Sequence, residues 1–189
     1  MDLPILVVVV ALLIGVAWLF NRLVSLNNRA KAAWSDIDVQ LKRRHDLVDN
    51  LVETVKGYVR HERGTLEEVT RSRTNAEGAR SAGRPGDSGL AETELGGRIR
   101  SLFAVVEAYP DLKASERFLD LQRALTDVED HIQNARRYYN AVVRDLNTRI
   151  QSVPDLIVAR PLGFREREFF ELESRDEAAA PRVDLGDDS

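Results

Sequence analysis

Three features of the chain predict an all-α fold, an antiparallel bundle of three to four long helices behind one N-terminal transmembrane helix. The chain opens on an uncharged apolar run, and two later stretches carry apolar residues in alternating steps of three and four. The composition, 31% charged and only 6% aromatic with few prolines, favours long solvated helices over a sandwich or barrel. A length of 189 residues suits one domain with appendages. The expected division is an anchor over 1–26, a bundle over 27–173 and a disordered acidic tail over 174–189.

Residues 3–20, LPILVVVVALLIGVAWLF, contain no charge, and Val24 extends the apolar character past Arg22. Eighteen helical residues rise about 27 Å, close to the roughly 30 Å hydrocarbon core of a bilayer. Trp18 falls where an indole favours the headgroup boundary. A cleaved signal peptide is the competing reading, but only Met1 and Asp2 precede the run and no small-residue cleavage site follows it. Lys and Arg resist translocation, and Arg22, Arg29, Lys31 and Lys42 all follow the run. A single-pass protein of the cell membrane is expected, meeting lipid through residues 3–24, with its N-terminus outside and its body in the cytoplasm.

From Ala30 a seam runs through Trp34, Ile37, Leu41, Arg44, Val48, Leu51, Val55 and Tyr58 with a 3.5-residue repeat. One helix is expected from about Asn21 to Ala76, with room for a bend at Gly57 and Gly64. Residues 77–97 hold six glycines and Pro85, a density that predicts a hinge loop. A shorter helix from near Leu90 turns Leu95, Ile99, Leu102 and Val106 inward and ends at Pro110. Ser115 has the side chain of an N-cap, and the following helix carries Phe118, Leu121, Leu125, Val128, Ile132, Ala135, Tyr139, Val142, Leu146 and Ile150 on one seam. The apolar run Leu156 to Ala159, between Pro154 and Pro161, is expected to fold back on the bundle with Leu162, Phe164, Phe169 and Phe170.

The composition excludes several chemistries. With no cysteine there are no disulfides, thiolate metal sites or thiol nucleophiles. A net charge of −4 argues against nucleic acid as a partner. His45 and His61 would lie about 160° apart on one helix, so they cannot share a ligand sphere from it. His45 and Asp46 are neighbours that point apart. No phosphate-cradling glycine motif is present, so neither a catalytic residue, a metal nor a cofactor is expected, and the chain reads as a non-enzyme.

The cluster Lys42, Arg43, Arg44, His45 and Asp46 then divides by face. Lys42, with Asp38 and Asp46 four residues away on either side, reads as solvated surface together with Arg43. His45 has no partner in sequence. Arg44 interrupts the apolar seam, and the second long helix offers a polar line of Glu129, Gln133, Arg136, Asn140 and Asn147. The hypothesis is a structural polar layer of Arg44, Glu129, Arg136 and Asn140, with Arg44 meeting Glu129 or a neighbour across the bundle to set helix register.

Three motifs, KRRHDL at 42–47, AYPDLKA at 108–114 and ARRYYN at 135–140, resemble the LemA family, and the similarity runs from about Asn21 to Phe170. The resemblance implies a helical bundle behind one transmembrane helix and no established enzyme activity. By association it also points to a membrane-embedded protease as partner. Two functions stand side by side: an interaction or scaffold protein for another membrane protein or for self-assembly as a homo-oligomer, and an anionic-lipid-binding or membrane-shaping protein using Arg22, Arg29 and residues 42–44.

Overall fold

The computed structural model describes residues 3–59 and 62–171 of the chain. The expected disordered tail and His61 lie outside the described residues. Within them the order is α1 (Leu3–Lys56), α2 (Arg63–Ser81), α3 (Pro85–Val106), α4 (Pro110–Lys113), α5 (Glu116–Gln151) and α6 (Asp155–Ala159), so the fold is all-helical. Residues 164–171 follow as an irregular return segment.

α1 is one uninterrupted helix of 54 residues, about 80 Å long. Its first part is the one helix among the described residues long and apolar enough to cross a membrane, and residues 3–18 are all exposed. Leu23 is already buried in the core, so the candidate membrane span and the bundle share one rod. α5 lies antiparallel to α1 for most of its length. The Trp34 and Tyr139 rings meet at a tilt, 5.5 Å between centroids, halfway along, and Ile37 and Leu41 pack with Val128 and Ile132 above them. Ser115 caps α5 by accepting a hydrogen bond from the Phe118 amide at 3.3 Å.

Two expectations are corrected. The long helix does not reach Ala76. It ends at Lys56, ahead of Gly57, and α2 folds back antiparallel, placing Leu66 and Val69 on Val48, Leu51 and Val55. The slip in the apolar repeat after Tyr58 marks a reversal rather than a bend, because these side chains find their partners on the preceding helix. Nor are residues 77–97 a hinge loop. α2 runs to Ser81 and α3 starts at Pro85, leaving a three-residue turn in which Gly83 takes φ +69°. Pro85 supplies a preset first helical residue, and the glycines beyond it sit inside α3 where other groups approach closely. A Cβ at Gly89 would lie 1.8 Å from the Glu171 carbonyl oxygen, and one at Gly96 would lie 2.9 Å from Arg44 Nη2.

The half of the molecule distant from the apolar run is thus a four-helix bundle of α1, α2, α3 and α5. The nearer half holds α1 and α5 with the return segment in place of further helices. Phe164 meets Phe20 edge-on at 6.0 Å, the Arg167 guanidinium donates to Asn27, and Phe170 packs on Trp34 at 5.7 Å. Asn147 and Asn140 pair with the main chain of Arg167 and Phe170, each giving and taking one hydrogen bond of 2.9 to 3.0 Å. An irregular strand buried along two helices has main-chain groups to satisfy, and these side-chain amides satisfy them.

Candidate functional site

Arg44 and His45 are consecutive on α1 and diverge by about 100°. Arg44 faces α3 and α5, whereas His45 faces α2 and α3. Both are buried, and both reach the same carboxylate, Glu92 of α3, whose side chain is 0% exposed. His45 Nε2 is 2.6 Å from Glu92 Oε1, and Arg44 Nη1 is 3.3 Å from Glu92 Oε2. The second arm of Arg44 reaches Glu129 Oε2 on α5 at 3.2 Å. The other ring nitrogen of His45 lies 2.7 Å from Glu77 Oε2 on α2, and Glu77 in turn accepts from Arg80 at 2.7 Å. Arg80 closes the series on Asp38 of α1, again at 2.7 Å.

The result is a file of alternating charge, Glu129, Arg44, Glu92, His45, Glu77, Arg80 and Asp38, that touches all four helices. Its middle is buried, and its ends, Glu129 and Asp38, are about two-fifths exposed. Carboxylates only accept, so an imidazole with a carboxylate at each nitrogen must carry both protons. His45 is therefore the imidazolium. Burial opposes that charge, but the hydrogen bonds and charges of Glu92 and Glu77 outweigh it and raise the His45 pKa above its ordinary 6.5. Hydrogen bonds from Arg80 and then His45 lower the Glu77 carboxyl to about 2.

Of the predicted polar-layer residues, Arg44 and Glu129 are brought together. Arg136 is half-buried and makes no ion pair among the described residues, and Asn140 serves the return segment instead. Two readings of the cluster are corrected. His45 is not an uncommitted neighbour, because its partners arrive from α2 and α3, 32 and 47 residues away. Asp38 is taken by Arg80 rather than Lys42, since the antiparallel return of α2 brings beside it a guanidinium that bridges Asp38 and Glu77. Lys42, Arg43 and Asp46 are exposed.

Glu92 was missed, although it carries the same signal that marks Arg44. Stepping back by three from Leu95, it continues the inward series Ile99, Leu102 and Val106, so it is a charge on an apolar stripe. Beside the network a cleft of about 240 Å³ opens between α3 and α5, with Arg44, Gly96, Phe103, Leu125 and Glu129 in its lining. Among the described residues no group of three or more acidic or histidine side chains is arranged to hold a metal ion. Both oxygens of the central carboxylate and both nitrogens of the imidazole are engaged, so the chemistry of the arrangement is cohesion between helices.

Comparison with known proteins bears on the same stretch. The model of the LemA family matches residues 33–185. Magnetosome protein MamQ 2 of Paramagnetospirillum magneticum is 26% identical, over 86% of this chain and 68% of its own length. Magnetosome protein MamQ of Magnetospirillum gryphiswaldense is 25% identical, over 80% and 64% respectively. Protein LemA of Metamycoplasma hominis is 27% identical, over 75% of this chain and 64% of its own length.

Proposed function

The chain belongs to the LemA family, and on that footing we propose that it is a non-enzymatic, single-pass membrane-anchored bundle that acts as an interaction or scaffold protein. Its partner is an integral membrane protein, the membrane protease of the family resemblance included, or a second copy of the chain. The observation that carries this reading is the continuity of α1. The exposed apolar run and the bundle core lie on one helix, so the bundle is held on the membrane span without a hinge among the described residues. A rod of this kind presents fixed faces at fixed heights, which suits docking more than turnover. The N-terminus lies outside and the bundle in the cytoplasm, following the basic residues after the run.

The lipid-binding alternative through Arg22, Arg29 and residues 42–44 is weakened at one point. Arg44 is spent on Glu92 and Glu129 inside the bundle and offers no charge to a membrane. Photo-crosslinkers placed at the exposed Val39, Leu119 and Tyr138, in membranes from cells making the full chain, test the reading. Adducts to a membrane protein or to a second copy are expected; adducts to lipid alone would overturn it in favour of the alternative. Because the chain has no cysteine, one introduced near the C-terminus reports topology. It should resist an impermeant thiol reagent on intact cells, and labelling would reverse the orientation.

A further inference from the structure

The end of the bundle nearest the apolar run of α1 carries an apolar surface that neither the core nor the charge network uses. α6 turns Val158 and Ala159 into the core, yet its outward side and flanks expose Val153, Ile157 and Leu162 at 73%, 68% and 54%. A helix packed on a water-soluble bundle ordinarily shows polar residues on its outward side. Contacts with α1 set the height of this corner. Phe164 packs on Phe20, Arg22 Nη1 stands 4.0 Å from Asp155 Oδ2, and Leu19 and Leu23 belong to the same cluster as Val158.

Residues 19–23 of α1 rise only about 6 Å beyond the exposed run, which is the depth of one headgroup layer, roughly 5–7 Å. The surroundings are basic. Arg22, Arg144, Arg149, Arg160 and Arg165 gather at this end against Asp145, Asp155 and Glu166, and Arg22 also lies over the Trp18 ring at 5.1 Å. Apolar side chains flanked by arginines, level with the end of an exposed apolar helix, match a bilayer interface and its anionic headgroups.

We propose that the α6 corner is a second membrane contact: Val153, Ile157 and Leu162 enter the headgroup layer of an anionic bilayer around α1, with the flanking arginines on lipid phosphates. The inference rests on residues 3–20 being the retained anchor. Contact at two points fixes the tilt of the bundle as well as its height.

The full chain offers no competing thiol, so single-cysteine variants can carry an environment-sensitive fluorophore in vesicles of phosphatidylcholine and phosphatidylglycerol. Probes at Ile157→Cys and Leu162→Cys should lose fluorescence to a lipid quencher held at the headgroup, as Trp18→Cys does, while Val39→Cys does not. A probe at Val9→Cys read with a deep quencher tests the anchor separately. Quenching at Val9 with Ile157 and Leu162 behaving like Val39 overturns the corner contact and leaves the anchor standing. No quenching at Val9 or Ile157 overturns both. Equal quenching at Ile157 in vesicles of phosphatidylcholine alone overturns the role given to the arginines.

Discussion

Replacing Glu92 by glutamine removes one charge and almost no volume, which isolates the electrostatic part of the network. In the native bundle the two oxygens accept from His45 Nε2 at 2.6 Å and Arg44 Nη1 at 3.3 Å, with no solvent at the side chain. Glutamine offers one oxygen and one NH2, so one of the two donors faces another donor. Breaking a buried ion pair from one side costs about 3–5 kcal/mol, because the remaining charge stays in the interior. Each cation here keeps a second carboxylate, Glu77 for His45 and Glu129 for Arg44, so the lower end applies. About 3 kcal/mol at roughly 2–4 °C per kcal/mol lowers the melting temperature by about 6–12 °C. Far-UV circular dichroism melts of the full chain in detergent read this directly. Lys42→Ala, exposed on the same helix, should stay within about 0.5 kcal/mol of the parent. A loss below about 1 kcal/mol for E92Q, the range of surface pairs, would refute the idea that the centre of the file holds the helices together.

Three further outcomes are expected. Gly89→Ala sets a methyl group against the Glu171 main chain and should cost about 1–3 kcal/mol, whereas Gly78→Ala, in open space on α2, should gain up to about 1 kcal/mol; matching melts for the two would contradict the close-approach account. The raised pKa of His45 means that its contribution is complete below pH 6.5 and is lost as pH rises through the folded value. Glu77, lowered from 4.5 to about 2, contributes above pH 4.5 and loses that contribution toward pH 2. Melts across pH should therefore fall on both sides, and His45→Gln should remove the alkaline slope; an unchanged slope would assign it elsewhere. Asn147→Ala deletes both hydrogen bonds to Arg167 and should speed tryptic cleavage between 164 and 171, while an unaltered cleavage rate would show the segment is held by its aromatic contacts alone.

The parts of the fold that local pattern predicted are those whose partners repeat along the helix. The seams of α1 and α5 are legible because every third or fourth side chain meets the same neighbour helix, and Arg44 stood out as a break in one of them. Residues 77–97 misled for a definite reason. Glycine density signals a loop when nothing else requires small residues, but Gly89 and Gly96 are small because the Glu171 main chain and the Arg44 guanidinium pass over them. Those visitors come from 82 and 52 residues away in the chain, beyond any local window. Misreading that stretch also hid Glu92, and with Glu92 hidden His45 had no visible reason to be buried.

The charge file and the membrane-facing corner are connected through the register of α5 on α1. Seams repeating every 3.5 residues match again after a slip of seven, so apolar packing alone discriminates weakly between heights that differ by about 10 Å. Charged groups discriminate strongly: a slip by one heptad puts Gln122 or Arg136 where Glu129 stood, and the Arg44 guanidinium loses that carboxylate. α6 hangs from the end of α5, so the height of its exposed side chains against α1 is set by that same register. A displacement of about 10 Å exceeds the thickness of a headgroup layer and would drive the corner into hydrocarbon or lift it clear into water. Burying Arg44, His45 and Glu92 at the centre of a charge file is a poor way to gain stability, but it is an effective way to exclude the wrong height.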